Sequence, residues 1–196
     1  MAGLRERKKE KTRRTIQEEA LKLFANQGYD ATTIDQIAEA SEISPSTFFR
    51  YFATKEDVVL QDDYDPVLIR MFVEQPPELG PVAALRKTLH DMFEALYPAD
   101  REQLLLRAKL QLSTPALRAR LMTTQMGTAN VLAGAVAQRT GLDEDDLEVQ
   151  AFAGAMIGAV LPALVRWVSS EGRASLPELA DICLAQLESG FAGMTA

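Results

Sequence analysis

The 196-residue chain has one cysteine, one histidine and one tryptophan, and each scarcity removes a class of protein. A single thiol, Cys183, forms no internal disulfide, so a disulfide scaffold is excluded. Cys183 falls on an apolar helical stripe, where a small buried hydrophobe is the expectation. A single imidazole, His90, has no second histidine for a metal set, and no P-loop, GxSxG or HExxH occurs. No catalytic residue, metal site or cofactor is therefore expected. The acidic cluster Asp143, Glu144, Asp145, Asp146 lacks the glycine-centred spacing of a calcium loop and reads as charge favouring a helix N-terminus. The longest apolar run, Ala151 to Val165, ends near Pro162 and Arg166 and falls short of the ~20 residues of a membrane span. It predicts a buried helix and no membrane partner. With no N-terminal apolar stretch of signal type, the expected location is cytoplasmic. No segment alternates as a strand, so the fold class expected is all-α, with about nine helices.

What is present is a sizeable apolar fraction, 47% of residues, and an uneven charge. The net charge is −7, yet residues 1 to 14 carry seven cations against Glu6 and Glu10, a local +5. The remainder holds 14 cations and 26 anions, −12. A basic arm ahead of an acidic body orients a molecule on a polyanion, with the arm supplying salt-sensitive phosphate contacts. A solubilising tail, disordered at its first few residues, explains the same arm equally well.

The stretch from Thr32 to Lys55 reads as two short helices meeting at a tight turn. Thr33 and Gln36 have the spacing of a capping box, predicting a helix over about Ile34 to Ala40. Ser44 is a good N-cap with Pro45 at the first helical position, and Ile43 and Phe48 fall where a hydrophobic staple forms. On the second helix Phe48 and Phe52 face inward, while Ser46, Phe49 and Arg50 share the outer face with Pro45. That face is small where a helix approaches base edges in a major groove and longer where it reaches phosphates. Thr54 caps a third helix with Lys55 in its first turn. The plainer reading is a generic pair of amphipathic helices.

Gly28-Tyr29, Thr32-Thr33, Ile37-Ala38, Ile43-Ser44, Thr47, Phe52 and Lys55-Glu56 resemble, at matching spacing, the DNA-binding domain of TetR-family transcriptional regulators. The resemblance implies phosphate contacts from Thr33 and Lys55, and a recognition helix, capped by Ser44 and Pro45, that is lined by Ser46, Thr47, Phe49, Arg50 and Tyr51. Three departures stand out. Glu42 replaces a turn glycine, which in a left-handed backbone costs roughly 1–2 kcal/mol; Phe49 replaces a tyrosine; Ser46 replaces a glycine.

Helix 1 is expected from near Lys8 to Gln27, with Ile16, Ala20, Leu23 and Phe24 on one face and Gly28 as terminator. Residues 1–53 would form the three-helix reader and 54–196 a helical effector-binding and dimerisation domain. The helix starting at Thr54 is expected to run on toward Met71 or Val73. After the break EQPPELGP at 74–81, helices are expected at about Val82 to Leu96 and Arg101 to Leu112, then Pro115 to Thr140, Asp145 to Ser169 and Pro177 to Ala192. Gly154 and Gly158, with Ala155, Ala159 and Ala163 alongside, predict close helix packing. The resemblance implies a homodimer through the last two helices, double-stranded operator DNA as partner, and a small effector in the body.

Adaptable side chains that suit a deformable pocket are Met71, Phe72, Met92, Phe93, Tyr97, Met122, Met126 and Trp167. STFFRYFATKEDVV and STPALRARL resemble the mycofactocin-type branch of the family, some of whose members answer to acyl-CoA. That implies an apolar effector, acyl-CoA among the candidates, with Arg107, Lys109, Arg118 and Arg120 as candidate phosphate partners. The reading is a TetR-like repressor released from a palindromic operator by its effector. The alternative is a small helical enzyme or carrier of apolar ligands with a purely structural N-terminal hairpin.

Overall fold

Helix ends set by capping side chains are the most sharply defined parts of the chain. The structure, a computed structural model, describes residues 3–61 and 64–192, apart from the side chains of Leu4, Glu6, Tyr64, Asp65, residues 96–99 and Met122. Met1 and Ala2, the start of the arm, lie outside the described residues. Among those described, nine α-helices and no strand occur: α1 (Leu4–Gln27), α2 (Ile34–Ala40), α3 (Pro45–Phe48), α4 (Lys55–Leu60), α5 (Tyr64–Glu74), α6 (Pro81–Ser113), α7 (Pro115–Thr140), α8 (Leu147–Ser169) and α9 (Leu176–Glu188). They pack as two units, Met1–Asp62 with Glu102–Leu121, and Asp63–Arg101 with Met122–Ala196.

In the first unit α1 begins four residues earlier than expected, so most of the basic arm is helical. Ile16, Ala20, Leu21 and Phe24 are buried against Ile37, Phe48, Phe52, Val58, Val59 and, from α7, Leu117. Gly28 ends α1 at φ 86°, its N–H bonding Phe24 O at 3.1 Å. The buried Gln17 donates to Val58 O and Gln61 O at 3.3 and 2.7 Å, satisfying carbonyls at the end of α4.

A helix running from Thr54 to Met71 or Val73 does not form. α4 stops at Leu60, Gln61 is extended with ψ 132°, and α5 starts afresh. The reason is Pro66: inside a continuous helix its ring meets the carbonyl four residues back and its missing N–H leaves that carbonyl unpaired, whereas the first turn of a new helix tolerates it.

The opposite error lies beyond the EQPPELGP break. Two helices were expected where α6 runs unbroken, with Asp100 in its interior. Pro98 forfeits one backbone bond without ending the helix.

The second unit has its own core, in which Phe72, Ala84, Leu85, Leu132, Val136, Val149, Met156 and Leu184 are buried. The Pro-rich break is held from α7: Arg139 donates to the carbonyls of Phe72, Gln75, Pro76 and Leu79 at 2.7–3.3 Å, with its guanidinium 5.4 Å from the Phe72 ring. Those carbonyls gain charge-assisted partners where the chain leaves α5, Phe72 O and Pro76 O in addition to the N–H groups of Gln75 and Leu79. The apolar run 151–165 is helical, but it is not the buried helix expected. α8 is long and apolar enough to cross a membrane by length and composition, with mean hydropathy 1.7, yet only 22% of that window is buried within the chain.

Candidate nucleic-acid interface and ligand cavity

Both helices of the reader start as the residue pattern requires. Thr33 Oγ1 accepts from Gln36 N at 3.2 Å while Gln36 Oε1 accepts from Thr33 N at 2.9 Å, a complete capping box. At the far end of α2, Ile43 N bonds Ala38 O and Glu42 N bonds Glu39 O, at 2.9 and 3.0 Å. This is a Schellman closure with Glu42 at φ 55°, where glycine is the unstrained residue. Ser44 then caps α3 with Pro45 behind it, its Oγ accepting from Thr47 N at 3.2 Å and lying 2.9 Å from the hydroxyls of Ser46 and Thr47. After Phe48 the backbone tightens: Arg50 N bonds Thr47 O and Tyr51 N bonds Phe48 O.

Most of the expected reader residues lie at the surface. Thr33, Ser44, Pro45, Ser46, Phe49 and Arg50 are exposed and Thr47 is half-buried. Phe49, 55% exposed, stands edge-on to the buried Phe48 ring at 5.6 Å. Arg50 makes no ion pair among the described residues. Tyr51 instead packs against the core of the unit.

Lys55 sits differently. Its Nζ donates to Tyr29 O at 2.7 Å and Thr32 O at 3.0 Å, and lies 4.2 Å from the Tyr29 ring centre. Two of its three N–H donors thus tie α4 to the α1–α2 turn. Tyr29 donates its hydroxyl to Glu56 at 2.8 Å, and burial together with this bond pushes the phenol well above its ordinary value. Burial pushes the Glu56 carboxyl up, but bonds from its own backbone N–H, Tyr29 and Thr54, with the Arg120 charge, hold it below the usual carboxylate range. Arg120 donates to Thr54 Oγ1 and Asp57 Oδ1, both at 2.9 Å, clasping the capping box of α4. On α1, Arg5, Arg7, Lys8, Lys9 and Lys11 are exposed.

The second unit contains a cavity of about 260 Å³ among α5, α6, α7, α8 and the start of α9, lined by Leu68, Ile69, Leu85, Leu89, Phe93, Gln125, Thr128, Val131, Leu132, Met156, Ile157, Val160, Leu161, Leu164 and Leu176. Of the expected pocket residues it takes Phe93. Phe72 and Trp167 are fully buried and Met92 nearly so, Met71 is half-buried, and Met126 is 66% exposed. The side chains of Tyr97 and Met122 lie outside the described residues. Choosing by side-chain adaptability missed the wall, which is mostly branched aliphatic; the readable signal was the run of Leu, Ile and Val on α8 at 157, 160, 161 and 164. None of Arg107, Lys109, Arg118 and Arg120 lines the cavity, and all four belong to the first unit.

An open groove of about 690 Å³ lies between α6 and α9. In it Arg86 forks onto Asp181 at 2.8 and 3.0 Å and also reaches Glu188, which holds Asp181 below the usual carboxylate range against the opposing effect of burial. His90, 67% exposed, lies 3.5 Å from Glu94 as a surface residue.

α8 presents an exposed stripe of Leu147, Ala151, Gly154, Ala155, Gly158, Pro162 and Val165, and α9 presents Ile182, 57% exposed. A Cβ built on Gly154 or Gly158 meets nothing within 4 Å, so no contact among the described residues requires either glycine.

Comparison with known proteins agrees with both halves of this arrangement. Residues 16–61 match the family described as bacterial regulatory proteins, tetR family, and residues 79–192 match the MftR C-terminal domain. The chain is 35% identical over 176 residues to the HTH-type transcriptional regulator TcmR of Streptomyces glaucescens, covering 86% of this chain and 76% of that one. It is 30% identical over 168 residues to the putative mycofactocin biosynthesis transcriptional regulator MftR of Mycobacterium tuberculosis, covering 84% of each. The fold is similar to that of the transcriptional regulator FadR from Bacillus subtilis in complex with stearoyl-CoA, with a TM-score of 0.57 and 21% identity over 90% of this chain and 97% of that one. Proteins of the matched family are regulators rather than enzymes, and they bind operator DNA and form dimers. With a capped helix-turn-helix at its start and an MftR-like helical body behind it, the chain belongs to the TetR family of bacterial transcriptional regulators.

Proposed function

We propose that the protein is a cytoplasmic homodimeric repressor that holds a palindromic operator through two copies of the α2–α3 reader and releases it when a small apolar effector fills the cavity of the second unit. The observation that carries this reading is the double membership of α7. That helix gives Gln125, Thr128, Val131 and Leu132 to the cavity wall and gives Leu117 and Arg120 to the unit that contains the reader. An effector that binds one arrangement of α7 better than another shifts the reader by that difference in affinity. On the DNA side, the exposed Arg50 serves phosphate or base edges, and Ser46, Thr47 and Phe49 approach the groove. Thr33 keeps its hydroxyl proton for a phosphate, and Lys55 retains one N–H for the same purpose.

Dimerisation is assigned to α8 and α9. An apolar helix left mostly uncovered, with two glycines that nothing in its own chain needs, suits the close approach of a second copy. The complex of FadR with stearoyl-CoA supports a second reading of the effector as an acyl-CoA.

The test begins with selection of bound duplexes from a random DNA pool by the full-length protein, followed by titration of the recovered site at two salt concentrations. A palindrome bound by a dimer, with affinity falling steeply with salt, is the expected result. Absence of any enriched sequence, or turnover of a bound small molecule, sinks the repressor reading in favour of a carrier or enzyme. Gly158→Leu separates the dimer claim from the rest: it should give monomers in sedimentation, and an unchanged dimer removes α8 from the interface.

A further inference from the structure

The cavity lining carries no charged residue. Its polar members are Gln125 and Thr128, both on α7. The Thr128 hydroxyl donates to Thr124 O at 3.3 Å, so toward the cavity it offers an acceptor. The Gln125 side chain makes no hydrogen bond among the described residues, leaving an amide that both donates and accepts beside an otherwise aliphatic wall. Half-buried at the cavity wall, this amide is available to pair a polar group of a ligand, and a directional bond of that kind makes it a specificity element.

Leu89 and Phe93 line both the cavity and the α6–α9 groove, so they stand between the two. The groove is no berth for a phosphate. Its carboxylates are Glu94, Glu178 and Asp181, against the cations Arg86 and Lys87. Arg86 is held by Asp181 and Glu188, and Lys87 by Asp91 at 2.8 Å. An anionic head group therefore finds no uncommitted lysine or arginine in the lining of either space.

Resting on the reading of the cavity as effector site, we propose that the effector is an uncharged, mainly apolar molecule with one carbonyl or hydroxyl group that bonds the Gln125 amide, rather than a CoA thioester. Size points the same way. A dry apolar cavity of about 150 Å³ takes benzene, so the 260 Å³ here corresponds to about ten non-hydrogen atoms by the same scaling. A long acyl chain joined to a nucleotide exceeds that several times over.

The experiment is calorimetric titration of the full-length protein with 1-tetralone, its hydrocarbon counterpart tetralin, and decanoyl-CoA, repeated on Gln125→Leu. The parent protein should bind tetralone and not decanoyl-CoA. Gln125→Leu should weaken tetralone roughly two- to tenfold, the worth of one hydrogen bond, while tetralin binds equally well or better. An unchanged preference for tetralone over tetralin in Gln125→Leu overturns the proposal. So does binding of decanoyl-CoA by the parent protein, or no tetralone binding up to its solubility limit. Val160→Trp, with Ile157→Phe as a smaller filler should the first not fold, tells this failure from that of the broader reading. Tetralone binding that survives a filled cavity puts the effector elsewhere. Binding lost on filling but indifferent to Gln125 leaves the cavity as effector site and removes only the assignment of its ligand.

Discussion

The reader and the body are held in place by different kinds of interaction. In the reader, helix starts and stops are set by single directional bonds: Thr33 with Gln36, Ser44 with Thr47, Thr54 with Asp57, and the closure at Ala38 to Ile43. Each depends on a particular residue type at a particular spacing. In the body the cavity wall is mostly Leu, Ile and Val, whose packing is non-directional and tolerates exchange among shapes of similar volume. The proposed reader surface, which would present Arg50 and Phe49 in one orientation, needs the first kind of specification. The proposed effector pocket, which would close around a ligand and give way, is served by the second.

The largest expected effect falls on one of the directional contacts that the body does contain. Arg139 bonds four carbonyls around the Pro-rich break, and Arg139→Ala should lower stability by about 3 kcal/mol in urea unfolding, since it strands half-buried acceptors beside α5. A loss under about 0.5 kcal/mol would mean that packing alone defines even this part of the body.

Next comes the reader face. Arg50→Ala should weaken binding to the selected operator about ten- to a hundredfold by fluorescence anisotropy, with no change in melting temperature. Parent-like affinity would show that the exposed guanidinium is not what meets the DNA.

A smaller effect, of opposite sign, is expected at Glu42. Relieving φ 55° with Glu42→Gly should gain roughly 0.5–1 kcal/mol, being the left-handed strain less the extra unfolded-state entropy of glycine. Destabilisation instead would show that the Glu42 side chain contributes something the backbone geometry does not reveal.

The smallest effect concerns pH. Glu56 and Asp181 both ionise below the usual carboxylate range in the folded chain. Their contributions are complete above the unfolded values, about pH 4, and are lost as pH falls through the lower folded values, because the unfolded chain then binds more protons. Melting temperature should therefore fall from pH 5 to pH 3, and Glu56→Gln should flatten that fall; an identical slope would remove Glu56 from the acid response.

The same contrast explains what could be read from residues alone. The capping box at Thr33, the Ser44-Pro45 start and the turn at Gly28 were legible because each is local. The length of α4 was not read from its own residues: Pro66, six positions past its end, forbids the continuation, and Gln17, over forty positions earlier, satisfies the last carbonyls. The break expected between Leu96 and Arg101 fails in the other direction, since nothing local says that α6 runs through Pro98. Phe72 and Met126 have suitable chemistry for a pocket, but one is sealed in the core and the other faces out, a difference of helix phase that composition does not carry. Lys55 shows a further limit. Its position at a helix N-terminus suits a phosphate, yet the carbonyls of Tyr29 and Thr32 lie within its reach first.

The uncovered face of α8 also bears on how a newly made chain avoids the wrong destination. By length and mean hydropathy the helix passes for a bilayer span, but its exposed stripe is built largely of glycine and alanine, which gain little from lipid compared with leucine or phenylalanine. Those small side chains make a weak anchor in a membrane and a close-fitting seam against another helix. In the proposed dimer that seam is where the second copy packs.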